Sequence, residues 1–483
     1  MRRRTFLQGS GAALLTGLSA RSLAADRPDP ADLAGDVAIL REALKLHPGL
    51  YRYNSPAAFE ARLQRFSADF TAAPDSAGRY LALARLTAAI RCGHSYGNFF
   101  NQKDAVRTAL FDRPTRLPVH FVWLDRDMVV TGDPSGTLAP GTRILRLNGE
   151  DPARLRDRLL PLIRADGHND AKRVSLLEVR GDDSIETFDV FQGLVAPPAG
   201  GVHRLEVQEP GGRRRRLDMP AIGLKARKAM MTAPEVREAD PLWTWAIRPD
   251  RIAVLTMPGW AIWKSKWDWK GWLDERLDSL AGARGLVVDL RDNEGGEDCG
   301  NRILARLIDR PYTPPAIEQR IRFQRTPASI DRYLDTWDDS FRTLGAKAAP
   351  LTNGFFLRPA GEDALTVASA GKRLPVPVAV LTSPVNSSAT FQFASNFRAI
   401  GGGRLYGRPT GGNRRGINGG CFFFVRLPAS GLEFDLPLVG YFPTTPQPDA
   451  GLLPDVRVAP TIADIATGRD PVLERAAVDL ARG

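Results

Sequence analysis

Two apolar, β-rich runs stand out in the second half of the chain, RGLVVDL at 284–290 and VPVAVLT at 376–382. Strands of this composition are typical of parallel sheets that are covered by helices on both faces. Helical periodicity precedes the first run at 268–281 and returns from Ser388, after the second. This alternation predicts an α/β domain whose functional groups lie in the loops that follow its strands.

The first half of the chain carries two other patterns. Residues 31–92 repeat apolar side chains at three- and four-residue steps, which predicts helices. Further on, residues 138–163 contain a Pro-Gly turn, a strand, an Asn-Gly turn and a helix, a unit that resembles the core of a PDZ domain. A chain of 483 residues is too long for one hydrophobic core. We therefore predict a helical domain at 26–108, a PDZ-like β-rich domain at 109–225 and the α/β domain at 226–483.

The first 25 residues have the parts of an export signal. A basic start precedes a short apolar segment and small residues, with a possible cleavage site near Ala24 or Ala25. The string RRTFL at residues 3–7 resembles a twin-arginine signal; an ordinary arginine-rich secretory signal is the alternative. No later stretch approaches the roughly 18 consecutive apolar residues of a membrane span. We expect a periplasmic or secreted protein with no stable membrane span.

Charge and cysteine content exclude several classes of function. The net charge of +11 is inflated by the signal segment, and the only dense basic run, Arg213–Arg216, fits an exposed hairpin strand. Nucleic acid binding would require a focused basic patch, so no nucleic-acid partner is expected. Three widely spaced cysteines and five ungrouped histidines form no metal-binding motif. We therefore expect no metal and no cofactor.

Three loops could carry chemistry. The loop DLRDNEGGEDCGN at 289–301 contains Gly295 and Gly296, whose backbone amides could approach a ligand closely, as an oxyanion hole requires. A second loop, NSSATF at 386–391, places serines at a helix start, and a third, CGHSYG at 92–97, contains a histidine. A serine nucleophile needs a base near neutral pKa, and histidine is the usual one.

These three loops, in this order, resemble the S41 family of serine peptidases, which includes the carboxyl-terminal processing proteases and the tricorn-like proteases. The segments that carry the resemblance are GLVVDLRDNEGG, VAVLTSPVNSSATFQFA, RLYGRPTGGN, PDAGLLPDVRV and IRCGHSYGNF. The resemblance extends over about residues 35–475 and is strongest over 250–460. It implies a ClpP/crotonase-like α/β catalytic core.

The resemblance also assigns the nucleophile and the oxyanion hole. The nucleophile falls on Ser388, and Ser387, which matches a small residue of the family pattern, is the weaker candidate. The oxyanion donors are then the backbone amides of Ala389 and of Gly295 or Gly296, with Gly296 slightly favoured.

One departure from the family pattern determines which residue can act as base. Asn413 stands where the processing proteases have a lysine, and an amide side chain cannot take a proton. The tricorn-like branch uses an N-terminal histidine instead, which matches His94. We expect Ser95 or another group to orient its imidazole, Asp449 to supply the acid, and Asn413 and Ser387 to line the site.

The sequence therefore predicts an exported serine-type peptidase acting on a peptide or protein substrate. Two alternatives remain open at this stage. The absent lysine allows a catalytically degenerate member that binds a peptide or an apolar ligand. The same residues would also serve a hydrolase of non-peptide esters or amides.

Overall fold

The computed structural model describes residues 28–232, 239–359 and 366–482. The predicted signal segment lies outside the described residues, so export stays a prediction. Within these residues, no helix is both long and apolar enough to cross a bilayer.

The described part of the chain begins with helices, as the apolar periodicity predicts. Asp75 caps α3, because its Oδ1 accepts a hydrogen bond from Gly78 N at 2.8 Å. Ser55 caps α2 in the same way. The four helices are α1 (Pro30–Leu44), α2 (Pro56–Ala72), α3 (Ser76–Ile90) and α4 (Asp104–Phe111).

An antiparallel meander follows, with strand order β1-β2-β3-β4-β5. The hairpin strand predicted around Arg213–Arg216 is confirmed as β5, which pairs with β4 and has Arg214 opposite Gln208 at the turn. The strands are β1 (His120–Leu124), β2 (Asp127–Gly132), β3 (Arg143–Leu147), β4 (Val202–Gln208) and β5 (Arg214–Pro220). Helices α5 (Pro152–Leu159), α6 (Asp170–Leu176), α7 (Thr187–Val195) and α8 (Leu224–Ala229) accompany them. The PDZ-like assignment of this region stays a prediction.

The predicted α/β domain contains a parallel sheet of order β17-β14-β13-β8-β7-β6, in which only β6 runs antiparallel to its neighbour. Helices cover both faces, since α13 packs on one and α11 lies on the other. The strands are β6 (Thr244–Ile247), β7 (Ile252–Thr256), β8 (Gly285–Asp289), β13 (Val378–Thr382), β14 (Gly403–Gly407) and β17 (Val456–Arg457). The helices are α9 (Trp269–Asp278), α10 (Asn301–Leu304), α11 (Ser388–Ala399), α12 (Ile462–Thr467) and α13 (Pro471–Arg482). The predicted α/β fold class is confirmed.

A third sheet, of order β10-β15-β16-β9-β12-β11, packs against the N-terminal helices. Its strands are β9 (Ile317–Ile321), β10 (Leu334–Asp335), β11 (Ala349–Pro350), β12 (Phe356–Leu357), β15 (Asn418–Arg426) and β16 (Glu433–Pro443). Asp36 of α1 accepts hydrogen bonds from Ala429 N and Ser430 N in the β15–β16 turn, at 3.0 and 2.7 Å. The N-terminal helices and the strands β15 and β16 thus share one core, although they are more than 300 residues apart in the chain.

Candidate active site

The nucleophile loop and the glycine loop meet because β13 and β8 are parallel neighbours, with Leu381 opposite Asp289. Asn386 joins the two loops. Its Nδ2 donates to the carbonyls of Leu290 and Asn293, and its Oδ1 accepts from Ser383 N at 2.7 Å. This fully buried amide holds the candidate nucleophile beside the candidate oxyanion hole.

Ser388 begins α11 in a strained backbone conformation, with φ at +52°. Left-handed backbone is uncommon for residues other than glycine, and such strain clusters at functional sites. Its Oγ makes no hydrogen bond with any residue that the structure describes. Ser387, by contrast, donates from Oγ to the Glu294 carbonyl at 3.1 Å, which braces the glycine loop.

The glycine loop passes directly against the candidate nucleophile. A Cβ on Gly295 would lie 2.9 Å from Ser388 Cβ, and φ at Gly295 is +114°, so only glycine fits there. The Gly295 amide donates to Asn293 Oδ1 at 2.8 Å. The amides of Gly296 and Ala389 have no acceptor among the described residues, which leaves these two free to bind an oxyanion.

His94 lies on the loop after α3, partly buried against Phe422 with ring centroids 5.9 Å apart. Gly93, the preceding residue, donates from N to Asp166 Oδ1 at 2.9 Å and accepts from Arg164 Nη1 at 2.7 Å. Burial lowers the pKa of His94, which favours the neutral imidazole that a base must be. In the described structure no hydrogen bond joins His94 to Ser388, and His94 Nδ1 is buried without a partner.

Ser95 does not orient the His94 ring. It is buried, and its Oγ is 2.9 Å from His47 Nε2. His47 Nδ1 accepts from Gly49 N at 3.0 Å, so Nε2 carries the hydrogen and donates to Ser95.

Asp449 also has a different partner from the one expected. Its carboxylate pairs with His168 Nδ1, and its Oδ1 accepts from His168 N at 3.0 Å and from Asn413 Nδ2 at 2.7 Å. The acid near His94 is Asp166, 72 positions further along the chain. Asn413 also donates to the Asp166 carbonyl, at 3.2 Å, so it braces this neighbourhood.

An ion pair between a buried lysine and a half-exposed glutamate behind the site was missed at the sequence level. Lys172 of α6 pairs with Glu294 and donates to the Val385 carbonyl at 2.8 Å. Burial lowers the pKa of Lys172 in spite of Glu294, whereas Lys172 and Arg164 overcome burial and hold the pKa of Glu294 well below its usual value. Arg164 contacts Glu294 as well, at 3.3 Å. The His94 loop and the glycine loop are thus linked through charged side chains.

A cavity of about 730 Å³ opens beside Gly295 and Val385. Six carboxyl groups line it: Glu178, Asp182, Asp183, Glu186, Asp292 and Glu294. Arg180 pairs with two of these acids, Glu178 and Asp292, while Arg164 and Lys172 pair with Glu294. Within the described part of the chain, the other three form no ion pair. Burial and neighbouring carboxylates raise the pKa of Asp183 to about 7 and that of Glu186 to about 9.

Comparison with known proteins agrees with this geometry. A model of peptidase family S41 matches residues 251–420. The crystal structure of mature CPAF is similar over 94% of this chain and 98% of its own, with a TM-score of 0.61 and 14% identity. Mature CPAF in complex with lactacystin gives a TM-score of 0.62 at 14% identity, over 94% and 99% of the two chains. No curated protein sequence gives a significant match.

The fold, the serine at the helix start and the adjoining glycine loop define a hydrolase of the serine peptidase class. The family match identifies the segment more closely: residues 251–420 are similar to the model of peptidase family S41. The resemblance stated from the motifs is thereby confirmed. At 14% identity, the similarity to CPAF shows the fold alone.

Proposed function

We propose that this peptidase cleaves peptide bonds with Ser388 as nucleophile and His94 as general base. The observation that carries the proposal is the strained start of α11, which sets an unbonded Ser388 Oγ beside two unengaged backbone amides. The neutral state of His94, favoured by burial, supports its role as base.

In the proposed reaction, Ser388 Oγ attacks the peptide carbonyl while His94 Nε2 takes its proton. The negative oxygen that forms is held by the amides of Gly296 and Ala389. His94 then protonates the leaving amine as the C–N bond breaks, and water hydrolyses the acyl-enzyme by the reverse proton path. Asp166 has a carboxylate oxygen within 4.8 Å of a His94 ring nitrogen, and we assign it the role of holding the imidazolium, which was first expected of Asp449. Substrate binding has to bring His94 within hydrogen-bonding distance of Ser388, as is common for catalytic pairs in unliganded enzymes.

Fluorophosphonate labelling of the full chain, with the adduct mapped by peptide mass spectrometry, tests this proposal. An adduct on Ser388 supports it. Absence of any adduct on a folded protein contradicts it and favours the binding-only alternative.

The cavity beside Gly295 also indicates a substrate preference. Three carboxyl groups there lack a paired cation among the described residues, so a lysine or arginine side chain of the substrate would supply the missing charge. We predict that a lysine peptide has a kcat/KM about tenfold or more above that of its norleucine counterpart, because one charged hydrogen bond contributes about 1.5–3 kcal/mol. The preference should grow as pH rises through 7, because Asp183 and then Glu186 become charged. The other charged groups at the cavity are Asp182 and four ion pairs, which Arg180 makes with Glu178 and Asp292 and which Arg164 and Lys172 make with Glu294.

Glu186→Gln keeps the acceptor for Gly181 N and removes a charge that forms only as pH rises toward 9, so it should reduce this preference at high pH and leave it unchanged near pH 7. Asp309→Asn, which changes an exposed carboxylate outside the cavity, is the matched control. Equal rates for the lysine and norleucine peptides at every pH would contradict the assignment.

Export belongs to the proposal as well. Residues 1–25 support it through their basic start, apolar segment and small residues. N-terminal sequencing of protein recovered from the periplasm or medium should show cleavage near Ala24 or Ala25, and a full-length cytoplasmic product would contradict export.

A further inference from the structure

Three metal-ligand side chains converge beside the candidate base. The ligand atoms of Cys92, His94 and Asp166 all lie within 4.8 Å of one another. Cys92 is 1% exposed and Asp166 is 2% exposed. The grouping is invisible in the sequence, because Asp166 comes from a distant loop.

Two atoms of this cluster, His94 Nδ1 and Asp166 Oδ2, are buried without a hydrogen-bond partner among the described residues. Leaving a buried polar atom unpaired costs about 1–3 kcal/mol, so two such atoms facing one small space point to a bound species between them. Gly93 fixes the orientation of the carboxylate, because its amide donates a hydrogen bond to Asp166 Oδ1. Glycine also leaves the space near Oδ2 open, since a Cβ at position 93 would lie 2.9 Å from that oxygen. Oδ2 is therefore left free on the side of the cluster.

The donor set selects the class of ion. A thiolate, an imidazole and a carboxylate together favour a borderline-soft ion such as Zn²⁺ over Mg²⁺ or Ca²⁺, which prefer oxygen alone. Tetrahedral zinc with bonds of about 2.0–2.3 Å holds its donors about 3.3–3.8 Å apart, which small side-chain rotations can reach from the observed positions.

We propose that Cys92 Sγ, His94 Nδ1 and Asp166 Oδ2 form a Zn²⁺ site that switches the peptidase off. This inference rests on the proposed function, because it takes His94 to be the base. On binding, the Cys92 thiol loses its proton to solvent, the imidazole binds in its neutral form, and water completes four-fold coordination. Metal at Nδ1 leaves the hydrogen of the neutral ring on Nε2. That nitrogen then has no lone pair to accept the Ser388 proton, and the carboxylate of Asp166 is occupied as well.

The site itself is tested without reference to activity. Ser388→Ala protein is titrated with Co²⁺, whose thiolate complexes give a charge-transfer absorption band in the near ultraviolet. We expect one Co²⁺ per chain with this band, displaced by Zn²⁺. Cys92→Ala should lose the band. Asp166→Asn keeps the Gly93 contact but removes a ligand, so it should weaken Co²⁺ binding by more than 10- to 100-fold, the effect typical of changing a residue that only supports a ligand. Cys421→Ala, another buried cysteine, is the matched control and should behave as the parent.

The regulatory part is tested on protein with an intact nucleophile. Zn²⁺ should stop fluorophosphonate labelling of Ser388, a chelator should restore it, and Cys92→Ala should be labelled with or without Zn²⁺. A Co²⁺–thiolate band without inhibition overturns the switch. Absence of the band, or a band that survives Cys92→Ala, overturns the site. A protein that never labels but shows the band refutes the proposed function and still supports the metal site.

Discussion

Replacing Ser388 by alanine is expected to abolish fluorophosphonate labelling and to lower kcat for peptide hydrolysis on the order of 10⁶-fold, the effect of losing the nucleophile in serine proteases. The substitution removes only Oγ, which bonds to no described residue, so folding should be unchanged. Circular dichroism and thermal melting of the purified variant check that point.

Ser387→Ala is the matched control for this prediction. It removes one hydrogen bond, from Oγ to the Glu294 carbonyl, and should keep kcat within about tenfold, since one such bond contributes about 0.5–1.5 kcal/mol. If Ser387→Ala loses the adduct and Ser388→Ala keeps it, the two serines have been assigned the wrong way round.

The histidines give a second comparison within the same experiment. His94→Ala should lose labelling with a fold that stays intact, whereas His168→Ala, which removes the partner of Asp449, should retain it. Labelling that survives in His94→Ala and disappears in His168→Ala would transfer the role of base to the His168–Asp449 pair.

Replacing Glu294 by alanine is expected to lower the free energy of unfolding by about 1–3 kcal/mol. The cost arises at Lys172, which is only 2% exposed and would keep a charge without its carboxylate partner. Glu294 itself is 45% exposed toward the cavity, so its own burial contributes little. Denaturant unfolding of the variant in the Ser388→Ala background measures the loss without self-digestion.

A double variant separates the charge effect from other consequences of the substitution. In Lys172→Met/Glu294→Gln, neither charge remains, and a side chain of similar length fills the space of Lys172. We expect its free energy of unfolding to be closer to the parent than that of Glu294→Ala, although the bond to the Val385 carbonyl is lost. A loss below about 1 kcal/mol in Glu294→Ala would mean that Lys172 is solvated or neutral in the folded protein.

Local patterns in the sequence determined most of the secondary structure, whereas the candidate nucleophile Ser388 was assigned by the resemblance to family S41. Apolar periodicity, the cap at Asp75 and the two β-rich runs all depend on residues close together in the sequence, so they can be recognised without knowing the tertiary structure. The start of α11 at Ser388 and the glycine loop before it follow from the same local chemistry.

Tertiary structure alone decided which charged and polar groups became partners. Asp449 contacts His168 instead of His94, and Ser95 contacts His47, because the fold brings together loops that are distant in the sequence. Lys172 and Glu294 are 122 positions apart in the sequence, and an ion pair produces no periodic pattern from which it could be predicted. Hydrophobic burial repeats along a helix or strand, whereas a single hydrogen bond or ion pair depends on the spatial position of both chain segments. For that reason the sequence indicated where the chemistry lies, and only the fold showed which side chains surround it.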